Sequence, residues 1–411
     1  MMVWQDRGNT LQDLEICMKP DFKDGPLSGI RVVDLTSVIM GPLATRVLAD
    51  FGADVIKVES AEGDSFRGYL PSRSKGMAGA FLHVNRNKRS VVLDLKAPAG
   101  RAALDSLIEE ADVVVHSMRP DAIERLGYGY ERVRALRPDI IYCGAYGFGA
   151  DGPYRNKAAY DDLIQAGAGL AALFEQVQGM PAYAPTVICD KVVGQTVATA
   201  ITAALLQRER GGGGQAVEVP MFETMIDFMY IEHFGGFAFE PPLAKPGFAR
   251  VLSANRKPYR TSDGHACILP YSDDNWRAFF DFTGRRDLAA DPRFFPLPVR
   301  VQHIDILYQA IEEEAAKRTT REWVAFCDRV SIPCMPVLSL ETLPDDEHVK
   351  AVGLFRTEEH PTEGAYKVIR SPVRFSASGP FRVRRHAPRL GEHTEEVLAS
   401  RAVKPGASDK G

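Results

Sequence analysis

Cysteine is sparse in this sequence and never closely paired. The six residues, at positions 17, 143, 189, 267, 327 and 334, form no CxxC, and the nearest two, Cys327 and Cys334, have Pro333 between them. That spacing excludes a zinc ribbon or a dithiol redox motif and reads as free thiols in a reducing compartment. The nine histidines include no HxH or HxxxH, so no metal site is expected. No charge of one sign dominates. Fifty Lys and Arg against 54 Asp and Glu leave a formal net charge of -4, which provides no broad basic surface for nucleic acid. Long apolar runs are missing too: "VVGQTVATAITAALL" is interrupted by Gly, Gln and Thr, so no membrane partner is expected. The opening "MMVWQDRGNTLQDLEICMKPDFKDG" lacks the basic-then-apolar layout of a signal peptide, and a cytoplasmic protein is expected. There is no GxSxG elbow, the first strand–helix turn, "LTSVIMGP", has no GxGxxG cradle, and no GK[ST] follows the glycine run at 211–214. That run reads as a break between a helix and a strand.

What is present is an alternation of strands and helices. "IRVVDL", "DVIKVE", "SVVLDL", "DVVVHS" and "DIIYCGA" are short β-branched runs. Between and after them, "GPLATRVLADFG", "PAGRAALDSLIEEA" and the stretches 122–126 and 131–136 have helical spacing. The pattern predicts an α/β fold, a doubly wound and mostly parallel Rossmann-like large domain. At 411 residues about two domains are expected. A polar arm covers 1–27, the first part of the large domain 28–225, a Gly-, Pro- and Phe-rich linker 226–257, and a smaller α/β domain 258–335. The chain then returns to the large domain over 336–400 and ends in a tail, 401–411. Within the small domain "PYRTSDGHACILPYS" predicts a hairpin turning at Ser262–Gly264, followed by helices.

One acidic residue stands apart. Asp190, in "TVICDKVVGQTVATAITAALLQ", sits at the mouth of a long apolar helix expected to run from Lys191 to about Gln207, while "TVICD" itself reads as a buried strand. As a helix cap, Asp190 accepts backbone N–H groups that the first turn leaves unpaired. The same position near a helix N-terminus favours the anion, and an ionised carboxylate is a competent nucleophile toward a thioester. Position alone does not separate the two roles. Cys189 beside it reads as core.

Several long blocks occur in the order seen in one family. "LSGIRVVDLTSVIMGPLATRVLADFGADVIKVES" with Gly41-Pro42, then "NRNKRSVVLDLK", "RPDAIERLGYGYERV", "AYGFGADGPY" and the closing "APRLGEHTEEVL" resemble the family III CoA-transferases, the group that includes formyl-CoA transferase, carnitine CoA-transferase and α-methylacyl-CoA racemase. The resemblance covers nearly the whole chain. It implies an interlocked homodimer in which each chain threads its partner, no tightly bound cofactor, and coenzyme A entering as an acyl-CoA substrate. The catalytic nucleophile falls on Asp190. CoA-contacting positions fall on Val38, Ile39 and Met40, on Leu93 and Lys96, and on Ser117, Met118 and Arg125. Tyr160 and Tyr146 fall near the active site.

Departures from the family pattern narrow the activity. A basic residue common after the second strand is Ser60 here, with Arg67 or Arg89 as possible substitutes, and two lysines of the formyl-CoA branch are Tyr146 and Ala158. The racemase branch carries a His-Asp pair in the segment where this chain has Ala159-Tyr160, so the resemblance implies transfer of CoA from an acyl-CoA donor to a free carboxylic acid, with acyl-CoA racemisation by α-proton exchange as the alternative. The 234–257 linker lacks a glycine-rich lid loop, and a residue other than glycine, Cys189, precedes the aspartate. The implied substrate is therefore a dicarboxylate larger than oxalate, such as succinate, malate, mesaconate, itaconate or glutarate. Arg250, Arg256 and Arg260 are candidates for its distal carboxylate, and Asp162 or Glu223 for assisting Asp190.

Overall fold

The structure, a computed structural model, describes residues 22–399; most of the predicted arm, Cys17 with it, and the tail 401–411 lie outside the described residues. Six strands, β1 (Arg31–Leu35), β2 (Asp54–Glu59), β3 (Lys88–Val92), β4 (Val113–His116), β5 (Ile141–Tyr146) and β6 (Gln215–Pro220), form one parallel sheet in the order 3-2-1-4-5-6. Successive residues of a strand point to opposite faces. Val32, Val55 and Val113 accordingly enter one core and Val33, Ile56 and Val114 the other. With both faces buried, the strands read as continuous apolar runs, as the sequence showed.

Among the described residues nine helices belong to this sheet region: α1 (Met40–Asp50), α2 (Gly79–Asn85), α3 (Pro98–Glu109), α4 (Pro120–Leu126), α5 (Tyr130–Leu136), α6 (Asp161–Gly167), α7 (Leu170–Gln178), α8 (Ile188–Gln207) and α9 (Met221–His233). Helix α8 buries Val193, Val197, Ile201 and Leu205, one residue per turn, in the core shared with α1. Prolonged by a turn to Gly212, it is long and apolar enough by composition to cross a membrane, yet this stripe of it is core. The two helices touch closely: a Cβ on Gly194 would lie 2.7 Å from the Met40 carbonyl oxygen. At the far end Gly211 and Gly213 take positive φ and the chain turns into β6, the helix-to-strand break expected from the glycine run.

Local expectations fail at two places. "TVICD" does not form a strand: helix α8 begins at Ile188, so Asp190 is inside its first turn. Helix α9 continues to His233, into the stretch expected to be linker, because "MFETMIDFMYIEH" has no proline or glycine to stop it.

A second core gathers around a three-stranded antiparallel sheet, β7 (Tyr259–Arg260), β8 (His265–Ile268) and β9 (Cys334–Pro336). Three helices supply most of its aromatics, α10 (Asp273–Thr283), α11 (Ile304–Ala315) and α12 (Thr320–Arg329). Ser272 with Asn275 and Thr319 with Glu322 form capping boxes at α10 and α12. Beyond it, the hairpin β10 (Phe355–His360) and β11 (Gly364–Ile369) leads to α13 (Thr394–Ala399), the last helix among the described residues. The returning chain is tied to the first sheet: Asn87 Oδ1 accepts the N–H groups of Arg384 and Arg385, and the His393 N–H donates to the Ser90 carbonyl.

Candidate active site

The strand order reverses between β1 and β4, so the loops after these strands part and leave a crevice at the carboxyl edge of the sheet, the usual ligand position in such folds. Here the turn after β1 has no glycine cradle. Buried charge shapes it instead. Val38 adopts φ 69°, a left-handed conformation that is strained for a β-branched residue. Its N–H donates to both oxygens of Asp64, at 3.1 and 3.3 Å. Asp64 pairs with the Lys57 ammonium at 2.9 Å, and Lys57 also donates to the Thr36 carbonyl at 2.8 Å. Below them Asp34 accepts from the Thr36 and Thr45 hydroxyls and lies 3.2 Å from Lys88. Burial drives the Asp34 carboxyl upward, but Lys88, Lys57 and the two hydroxyls outweigh it and bring it to about 2. Gly41 admits no side chain, since a Cβ would sit 2.3 Å from that of Thr36.

The resulting cleft, about 410 Å³, opens where α8, the β1 loop and the β4 loop meet. Its walls bring together Val38, Ile39 and Met40 from the first turn, Ser117 and Met118 from the second, and Tyr146, Tyr160 and Asp190. The two loops touch through the Ser37 N–H and the Ser117 hydroxyl, 3.3 Å apart. A larger cavity, about 590 Å³, lies at the opposite end of α1, against Asp50 and Phe51, away from Asp190.

Asp190 is not a cap. The N-cap position of α8 is Val187, which has no side-chain oxygen to offer. The Asp190 N–H is instead taken by Asp161 Oδ1, at 2.9 Å, from the first turn of α6. Its own carboxylate, half-buried, receives no hydrogen bond among the described residues and lines the cleft. Burial, with the negative charge of Asp161 added, pushes its carboxyl up to about 7. This corrects the expectation of a carboxylate held ionised by the helix terminus. Cys189 is fully buried in the core, and burial pushes its thiol up to about 12, as suits a packing residue.

The other predicted residues are placed as follows. Leu93, buried, and Lys96, exposed, follow β3 at the same edge of the sheet, and Arg125 is exposed on the last turn of α4; none of the three lines the cleft. Arg67 and Arg89 do not replace the missing basic residue at Ser60. Arg67 is buried on Glu59 and Arg89 holds Asp54 at 2.5 Å. Arg250 donates to the Tyr308 hydroxyl, and Arg260 is exposed on β7. Asp162 is exposed, and Glu223 accepts the Gly149 N–H at 3.0 Å.

Sequence reading passed over three features. Arg119 lines the cleft beside Met118, with its guanidinium on the Asn156 carbonyl, and only its adjacency to two predicted positions hinted at it. Asp161 is the carboxylate next to Asp190, although Asp162 beside it is equally acidic in the sequence. The Lys57–Asp64 pair had one signal, a lysine inside the apolar run "VIKVE".

Sheet order, crevice position and one cleft-lining carboxylate among the described residues define a Rossmann-like α/β protein with a ligand-sized crevice at the switch point of its sheet. The profile of the family described as CoA-transferase family III matches residues 27–394. Over 384 residues the chain is 34% identical to a succinate–glutarate CoA-transferase of Agrobacterium fabrum, covering 91% of this chain and 95% of the relative. It is 31% identical over 397 residues to a formyl-CoA:oxalate CoA-transferase of Rhodopseudomonas palustris, covering 90% and 92%. A crystal structure of a CAIB/BAIF family protein from Brucella suis superposes with a TM-score of 0.77 at 30% identity, over 92% of this chain and 99% of that one. The chain belongs to CoA-transferase family III. It is an enzyme of that type, and such enzymes act on CoA thioesters and carboxylates.

Proposed function

We propose that the protein moves CoA from an acyl-CoA thioester to a free carboxylic acid through a covalent aspartyl-CoA thioester on Asp190. The observation that carries this is the position of Asp190, the only carboxylate among the described residues lining the cleft. Its carboxylate attacks the thioester carbonyl, the C–S bond breaks, and CoA leaves as the thiolate while an acyl-aspartyl anhydride forms. The thiolate then attacks the aspartyl carbonyl, which frees the donor acid and leaves aspartyl-CoA. The acceptor carboxylate attacks that thioester, and the released thiolate takes the acceptor acyl group and regenerates Asp190. Each carbonyl along the way is activated, so thioester energy is retained if water is excluded. A carboxyl raised to about 7 is a stronger nucleophile than an ordinary one and still half-ionised at neutral pH.

In this reading Val38, Ile39, Met40, Ser117 and Met118 hold the pantetheine end. Lys96, Arg119 and Arg125 face the CoA phosphates along the sheet edge, and Leu93 packs beside them. Tyr146 and Tyr160 flank the acyl group. The acceptor is a small dicarboxylate of the succinate to glutarate class, supported by the relative named for succinate and glutarate. The working form is an interlocked cytoplasmic homodimer, with the large domain made of 28–225 and 336–400 and the small domain of 258–335.

Mass spectrometry of the protein mixed with a panel of acyl-CoAs tests the proposal. A CoA adduct on the peptide containing Asp190, absent from Asp190→Asn, is expected. Tight CoA binding without an adduct, together with deuterium entering the α-carbon in D2O, would overturn it in favour of racemisation.

A further inference from the structure

The cap that Asp190 does not make is supplied by another helix. The first-turn N–H groups of α8 need acceptors, and Val187 offers none. Asp161 Oδ1 takes the Asp190 N–H at 2.9 Å, and Asp161 Oδ2 accepts the Gln165 amide at 2.6 Å. Gln165 completes the circuit: its Oε1 accepts the Ala184 N–H at 2.9 Å and its Nε2 reaches the Thr186 carbonyl at 3.4 Å. Asp161 is 5% exposed and Gln165 fully buried. The segment 184–190, which carries Asp190 to the cleft, is thereby held at Ala184, Thr186 and Asp190 by one turn of α6.

From this geometry we infer that Asp161 is a positioning residue for the transfer reaction, and that with Gln165 it forms a clasp that aims the Asp190 carboxylate into the cleft and keeps a second negative charge beside it. The inference rests on the reading of Asp190 as nucleophile. Because Asp161 satisfies the backbone N–H, the Asp190 carboxylate is not drawn back onto its own helix. An asparagine would serve that acceptor role equally, so a buried carboxylate here does something more. Its charge opposes the Asp190 anion, and the raised carboxyl of Asp190 agrees with that. Forming the aspartyl thioester removes the Asp190 charge and with it the repulsion, which favours the covalent intermediate over the free enzyme.

Other charged groups near Asp190 are arranged differently. Asp162 on α6 is exposed, and the Lys191 ammonium is held on the Thr186 hydroxyl. Arg119 is occupied by the Asn156 carbonyl, and the Tyr146 hydroxyl donates to Glu218 at 2.8 Å. Asp161 is the anion that both touches the Asp190 backbone and raises its carboxyl.

The test combines a pH profile with the adduct measurement. In Asp161→Asn the midpoint of kcat/KM against pH should move down by about one unit, and kcat should fall roughly tenfold at pH 8 with KM for acyl-CoA nearly unchanged. The fraction of protein trapped as aspartyl-CoA should fall as well. An unchanged midpoint and an unchanged trapped fraction would overturn the inference. Gln165→Leu keeps the charge and cuts the tie to Ala184, so it should lower kcat without moving the midpoint; unaltered kcat there would remove the clasp even if Asp161→Asn did not fold. Wild type is measured first. No adduct on the Asp190 peptide would sink the nucleophile reading itself, whereas an adduct with an unmoved midpoint in Asp161→Asn would sink only the clasp.

Discussion

The Lys57 ammonium lies 2.9 Å from the Asp64 carboxylate, and both side chains are shut off from solvent. Asp64 also receives the Val38 N–H, so this ion pair anchors the strained residue at the rim of the cleft. Removing one partner of a buried pair leaves an uncompensated charge. Lys57→Met should therefore cost about 3–5 kcal/mol. A urea melt would show it, and loss of acyl-CoA binding should accompany it because Val38 is released. A stability within experimental error of wild type would contradict the anchoring role.

Replacing Asp190, the proposed nucleophile, should stabilise the fold while abolishing turnover. The Asp190 carboxyl is raised to about 7 in the native state, against roughly 4 in the unfolded chain. Such a group contributes its full stability below pH 4 and loses it as pH rises through 7. Asn carries no charge at any pH. Asp190→Asn should thus be more stable than wild type at pH 8, by about 1–3 kcal/mol once partial exposure is discounted, with the gap closing towards pH 4. Thermal melts at the two pH values check the sign.

Activity should follow the same ionisation. If Asp190 is the nucleophile, its anion is the attacking form, and kcat/KM of wild type should rise with pH around 7 and level off above 8. A midpoint near 4 would show that Asp190 is solvated and ordinary in the working enzyme.

Helices α1 and α8 meet too closely for a side chain at Gly194. Even the Cβ of alanine would approach a backbone oxygen, that of Met40, to 2.7 Å, and a backbone atom yields less than a side-chain tip. Gly194→Val should cost about 1–3 kcal/mol or more by overpacking. Because Met40 lines the cleft, KM for acyl-CoA should rise as well.

If Lys96 and Arg125 contact CoA phosphates, their alanine variants should raise KM for acyl-CoA several-fold and leave kcat almost untouched. The effect should shrink with added salt, since both side chains are exposed. Equal loss of kcat and kcat/KM would place them in the chemistry instead.

Much of the large sheet was legible because a buried parallel strand writes itself as a short β-branched run, and "IRVVDL", "DVIKVE" and "DIIYCGA" all became strands of one sheet. "TVICD" misled for the same reason. Four of its residues, Thr186 to Cys189, are apolar or β-branched in a row, and only contacts with α1 and α6 make Ile188 to Asp190 the first turn of a helix. The motif blocks pointed to Asp190 and to the two loops of the cleft. They did not reveal that Arg67 and Arg89 are already committed to Glu59 and Asp54, since a guanidinium looks the same in sequence whether free or paired.

The sequence by itself determined the alternation of elements, the family and the residue types in the cleft, because periodicity and motif spacing are local properties of the chain. Tertiary structure alone decided which carboxylate stands beside Asp190. Asp161 and Asp162 are neighbours in sequence, yet the packing of α6 on α8 buries one against the Asp190 N–H, 29 residues away, and leaves the other in solvent. The ionisation of Asp190 follows from that contact and from burial in the cleft, and neither exists until distant helices meet.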